Sequence, residues 1–282
     1  MNEIFLTSDD LMAFKTYLIE KEASAATLEK YLRCARNLFA FLKGGALTKE
    51  SALLWKEGLI KKGLAPATVN TYIAAANAFF ASSGISGKIH IKSLKIQRKM
   101  FTDKEKELTR AEYERLVSAA RKRGDERLSL LFETICATGI RVSEVKYITK
   151  EAALKGRADI RLKGKIRTIL IPDKLCRKLL KYAKKKGIRA GQIFLSAKGR
   201  PLSRQRIWEQ MKGICEKAGV DPKKVFPHNL RHLFARTFYR ATKDIVKLAD
   251  VLGHTSTTTT RIYLISTEKE HRSALESLKL VC

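Results

Sequence analysis

The stretch PHNLRHLFARTFY, Pro227–Tyr239, decides how the C-terminal half of the chain is built. Proline is well placed at the first position of a helix, where its missing N–H would go unbonded anyway. The stretch therefore predicts a helix starting just after Pro227. His228 and Arg231, three residues apart, then share one face near a helix N-terminus, where anions are favoured. An imidazole and a guanidinium so paired suit one tetrahedral phosphate. His232 is placed on another face and given no part. A lone His-x-x-Arg is ordinarily solvated or structural, so the rest of the chain has to decide.

Outward from this helix the pattern stays helical. From Ser203 onward helices dominate, with Pro222 and Pro227 near their boundaries. Upstream, TRAEYERLVSAARKRG (109–124) and ERLSLLFETICATG (126–139) read as amphipathic helices. ADIRLKGKIRTILIP (158–172) reads as a hairpin, an extended run and a Lys-Gly-Lys turn followed by β-branched residues. GQIFLSAKGRPLS (191–203) predicts a short strand and a turn. The expected second domain, 109–282, is mostly helical with one small antiparallel sheet.

The first 94 residues predict a four-helix domain. SDDLMAFKTYLIEKEA opens on Ser8-Asp9, a capping pair, and sets Leu11, Phe14 and Leu18 on a helical period. A weak internal repeat follows. AATLEKYLRCARNLFAF from Ala25 matches PATVNTYIAAANAFFAS from Pro66 at Thr27/Thr68, Tyr31/Tyr72, Ala35/Ala76 and Phe39/Phe80, with each Thr a candidate N-cap. Residues 95–108 lack apolar periodicity and are rich in Lys and Arg; they predict a basic linker.

Bulk composition narrows the partners. Lys and Arg number 57 against 28 acidic residues, a formal charge of +29. Such an excess calls for a polyanion, and nucleic acid is the leading one. No apolar run has the length to span a bilayer, no segment resembles a membrane-surface helix, and the acidic start MNEIFLTSDD is not a signal peptide. A cytoplasmic protein without a membrane partner is expected. The five cysteines are scattered, with no CxxC pair, which argues against a zinc site or a disulfide framework. Acidic residues do not cluster near the basic motifs, and no Gly-rich phosphate loop is present. Neither a cofactor nor a metal is expected.

Three further stretches join His228 and Arg231. ATGIRVSEV sets Arg141 at a turn between helices, its guanidinium adding donors to a region favourable to anions. A surface arginine in a structural salt bridge is the plainer alternative. LKGKIR puts Lys163 and Lys165 at the hairpin turn, where most lysines are merely solvated. LGHTSTTTTRIY, Leu252–Tyr263, carries six small hydroxylated residues between His254 and Arg261, then one tyrosine. Taken alone it is a loop or a helix start.

In their order, TGIRVSE, KGKIR, HNLRHLFA and LGHTSTTTTRIY closely resemble the tyrosine recombinase (integrase) family, in particular its archaeal Xer-type members. The resemblance covers nearly all of the second domain, and AATLEKYLRCARNLFAFL resembles that family's helical core-binding domain. It implies an enzyme that breaks and rejoins DNA strands by transesterification, without metal or ATP. Tyr263 is then the nucleophile that forms a 3′-phosphotyrosyl link. Arg141 and Arg231 are then the forks around the phosphate, His228 and His254 supply donors and a proton acceptor, and Lys163 is the general acid. The family turn commonly has one residue more than KGKIR, which leaves Lys165 in competition with Lys163. The resemblance also implies a Holliday junction, chromosome dimer resolution, and a tetramer on two DNA duplexes. A type IB topoisomerase-like activity and a catalytically silent packaging protein are the alternatives. The tail STEKEHRSALESLKLVC predicts a capped helix whose narrow stripe, Ala274, Leu275 and Leu278, must dock somewhere. The family pattern favours a neighbouring protomer.

Overall fold

The structure is a computed structural model that describes residues 4–85, 87–96, 104–162, 165–254, 256–264, 272 and 276–278. The chain divides into two compact units, Met1–Arg98 and Lys99–Cys282.

The first unit packs four helices, α1 (Ser8–Glu20), α2 (Ala25–Leu42), α3 (Lys49–Lys61) and α4 (Pro66–Ser82), around Phe14, Leu38, Trp55, Ile73, Phe79 and Phe80. The apolar periods are those expected, but the caps differ. Thr7, not Ser8, caps α1, forming a capping box with Asp10. Ser24 caps α2 by accepting from the N–H of Thr27, and α4 starts on Pro66 without a side-chain cap. Thr27 and Thr68 therefore lie inside their helices. Where Ser, Thr and Asp stand together, several can cap, and tertiary packing chooses among them. Two asparagines seven residues apart, on one face of α4, bind the extended segment that leaves it. Asn77 exchanges two hydrogen bonds with Ile91, and Asn70 two with Leu94. They satisfy backbone groups that have no ladder partner.

The second unit holds nine helices among its described residues: α5 (Arg110–Lys122), α6 (Glu126–Thr138), α7 (Lys150–Lys155), α8 (Asp173–Lys185), α9 (Arg204–Lys212), α10 (Cys215–Ala218), α11 (Pro227–Thr242), α12 (Ile245–Leu252) and α13 (Thr257–Arg261). Strands β1 (Arg157–Leu162) and β2 (Lys165–Leu170) form the antiparallel hairpin, with Ile160 opposite Arg167. The strand expected within 191–203 is reduced to two isolated bridges, Thr149 with Gln192 and Leu195 with Pro201. Pro201 has no N–H with which to extend a ladder. Residues 104–108, within the stretch expected as a linker, are fastened to the second unit. Asn229 donates to the Lys106 carbonyl, Arg236 to the Leu108 carbonyl, and Arg236 also pairs with Glu107.

The main core of this unit includes Leu116, Leu131, Phe132, Ile135, Leu179 and Leu230, and links α5, α6, α8 and α11. A separate small cluster joins Ala235, Leu248, Leu252 and Tyr263. Cys34, Cys176 and Cys215 are buried, and burial pushes the Cys136 thiol up to about 12. No described helix is long and apolar enough to cross a membrane.

Candidate active site where α11 and α12 meet

Helix α11 begins on Pro227 and carries His228, Arg231 and His232, each of which meets Tyr263. Arg231 is 1% exposed. A buried guanidinium needs acceptors for its donors, and neighbouring chain ends supply them. Arg231 Nη1 donates to the carbonyl of Gly139, and Nη2 to that of Leu252 at 2.8 Å. Its Nε lies 3.4 Å from the Tyr263 hydroxyl, to which it donates.

The C-terminus of α12 is the keystone. The last carbonyls of a helix lack intrahelical partners and sit at the negative end of its dipole. Here three successive carbonyls each meet a different arginine. Val251 accepts from Arg167 at 2.9 Å, Leu252 from Arg231, and Gly253 from Arg141 at 3.5 Å. Gly253 is left-handed (φ +62°), which ends the helix and turns the chain toward His254.

Glu144 completes the frame. Its carboxylate is 3% exposed and bridges two arginines, Arg141 Nη1 to Oε1 and Arg167 Nη1 to Oε2, each at 2.9 Å. Oε2 also accepts from the backbone N–H of Arg141 at 2.9 Å. Arg141 itself remains 41% exposed. Three guanidiniums thus converge on one helix end, and two of them share one carboxylate. The excess positive charge suits an incoming anion.

The tautomer of His254 follows from its partners. Arg231 Nη2 lies 2.9 Å from His254 Nε2, and a guanidinium only donates, so Nε2 accepts. Nδ1 then carries the proton and donates to Thr260 Oγ1 at 2.9 Å, itself fully buried on α13. A neutral imidazole fits its surroundings. Burial first, then Arg231, Arg141, Arg167 and His228, pull His254 down to about 4. Burial, helped by Arg231 and Arg141, also lowers His228.

Ser256 caps α13, whose threonines lead into a short 3-10 turn, Ile262–Leu264, that seats Tyr263. The phenol ring is 6% exposed and packs among three imidazoles. Ring centroids lie at 4.3 Å for His232, 5.6 Å for His254 and 5.8 Å for His228.

Of the residues singled out from sequence, Arg141, His228, Arg231, His254 and Tyr263 come together. Lys163, Ala274 and Leu275 lie outside the described residues, Leu278 is exposed, and Lys165 opens β2. The placing of His232 on another face is corrected. Four residues beyond His228 is the same side of a helix, and its ring is the nearest of the three to Tyr263. Burial, His228 and Arg231 hold it down at about 4. Sequence reasoning also passed over Glu144 and Arg167. Glu144, three residues after Arg141, had the spacing of a partner; nothing in the sequence brings Arg167 to α12.

Solved structures share this fold. One is the recombinase XerH bound to palindromic difH substrate in a post-cleavage complex (TM-score 0.72, 19% identity, 90% of this chain and 80% of that one). Another is a lambda integrase tetramer bound to a Holliday junction (TM-score 0.74, 20% identity, 93% and 78%). Sequence relatives extend over the full length. Tyrosine recombinase XerA of Thermococcus kodakarensis is 31% identical over 95% of this chain and 94% of its own, and that of Pyrococcus furiosus is 31% identical over 100% and 98%. Fold and relatives together define a tyrosine recombinase, an enzyme that cleaves and rejoins DNA. The phage integrase family matches residues 106–270, and the chain belongs to it.

Proposed function

We propose that this cluster is the active site of a site-specific recombinase with Tyr263 as its nucleophile. The observation that carries the reading is the donation from buried Arg231 to the Tyr263 hydroxyl. A phosphate entering beside that oxygen meets the exposed fork of Arg141 and the positive charge of buried Arg231. These neutralise the charge that develops as phosphorus becomes five-coordinate. Tyr263 Oη bonds to phosphorus and the bond to the 5′ oxygen breaks. The phenol proton passes to the neutral imidazole of His228, since both ring nitrogens of His254 are already bound to Arg231 and Thr260. The leaving 5′ oxygen takes a proton, for which family resemblance nominates Lys163 ahead of Lys165. The 3′-phosphotyrosyl link keeps the bond energy, and a 5′ hydroxyl of a second duplex attacks it to exchange strands.

On this reading Met1–Arg98 is the core-binding domain and Lys99–Cys282 the catalytic domain. Four protomers on two duplexes, linked through their C-terminal helices, pass through a Holliday junction in the cytoplasm. Kinship with Xer proteins points to chromosome dimers as the physiological substrate. The test begins by selecting the DNA site from bound genomic fragments. Two duplexes of different length bearing that site are then incubated with the protein. Recombinant lengths are expected. Relaxation of supercoiled DNA without recombinants would favour the topoisomerase-like activity instead.

A further inference from the structure

Arg167 touches no candidate substrate position, yet it is bound more elaborately than a strand residue needs. Its side chain is 10% exposed. Nη1 donates to Glu144 Oε2 and Nη2 to the Val251 carbonyl, both at 2.9 Å. Nε is buried without a partner. Burial first, against the attraction of Glu144, brings the group down to about 10. A guanidinium so desolvated is a poor source of stability. Gly253 gives it room. A β-carbon at that position would collide with Cδ and Nε of Arg167, so the side chain runs directly beneath the backbone that leads to His254.

Two chains of contact start from this one group. Through Glu144 it reaches Arg141, because the same carboxylate holds both guanidiniums. Through Val251 and Gly253 it reaches the end of α12, where Arg231 and His254 are bonded to each other. Without Arg167, Glu144 is free to turn fully toward Arg141 and draw its fork away from the phosphate position.

We infer that Arg167 is a positioning residue that sets the Arg141 fork against the α12 terminus, so that Arg141 and Arg231 address one phosphate together. The inference rests on the reading of Arg141 and Arg231 as phosphate-charge holders. A displacement of about 1 Å in such a group is enough to cost about a hundredfold in rate.

The test uses the full-length protein and nicked duplexes bearing the selected site, with either an ordinary scissile phosphate or a methylphosphonate there. The methylphosphonate lacks the negative charge that the forks neutralise. Arg167→Ala is expected to bind DNA like the wild type but to form covalent adduct about a hundredfold more slowly on the phosphate. On the methylphosphonate its rate should approach the wild-type rate, as should that of Arg141→Ala. Arg167→Lys keeps a cation near Glu144 but loses the second bond, so it should lie between; it carries the test if the Ala variant fails to fold. Rescue of Arg141→Ala without rescue of either Arg167 variant would overturn the inference and leave the reading of Arg141 intact. If Arg141→Ala is not rescued either, the charge-holder reading fails and the inference with it.

Discussion

Tyr263 stands among three imidazoles, and the one ranked least from sequence, His232, is the nearest. The spacing rule that joined His228 to Arg231 reaches His232 as well, so that residue was legible and misread. Arg167 was not legible. Its partners are a carboxylate 23 residues upstream and a carbonyl 84 residues downstream, and no local pattern encodes such a meeting. The depressed histidines have a consequence for stability. His232 and His254 sit at about 4 in the folded protein, against 6.5 when unperturbed. Between those values the unfolded chain binds more protons, so folding stability rises with pH across the window and falls as the pH drops through it. Thermal melts of the DNA-free protein should lose stability from about pH 6.5 down to about pH 4. His232→Gln should shrink that loss, and an identical pH dependence in the variant would contradict the assignment.

At the scale of elements, what packs on its own period was readable. The amphipathic helices and the hairpin follow from local spacing, whereas caps and bridges are settled by competition among nearby groups. The junction of α6 with α11 belongs to the second kind. Gly139 ends α6 in the left-handed region (φ +61°), and a β-carbon there would strike the ring of Phe234 on α11. Its carbonyl also receives Arg231. Gly139→Ala should therefore destabilise the protein by about 1–3 kcal/mol in urea titration. It should slow adduct formation as well, because the site and the helix junction share this backbone. A variant with wild-type stability would show that the junction yields at no cost.

For the molecule as a whole, a charge of +29 and the converging arginines belong to one design. The general excess draws DNA to the surface through its phosphates, a salt-dependent and sequence-independent attraction. On the proposed reading, the buried set at the end of α12 then singles out one phosphate for attack. Binding and chemistry are separable on this view, because binding spreads over many lysines and arginines while chemistry hangs on one phenol. The direct test compares wild type with Tyr263→Phe on a nicked duplex bearing the selected site. Retention on DNA and denaturant-resistant adduct are measured together. The wild type should give both; the Phe variant should bind with nearly unchanged affinity and give no adduct. An adduct formed by the Phe variant would show that another residue is the nucleophile and would contradict the account.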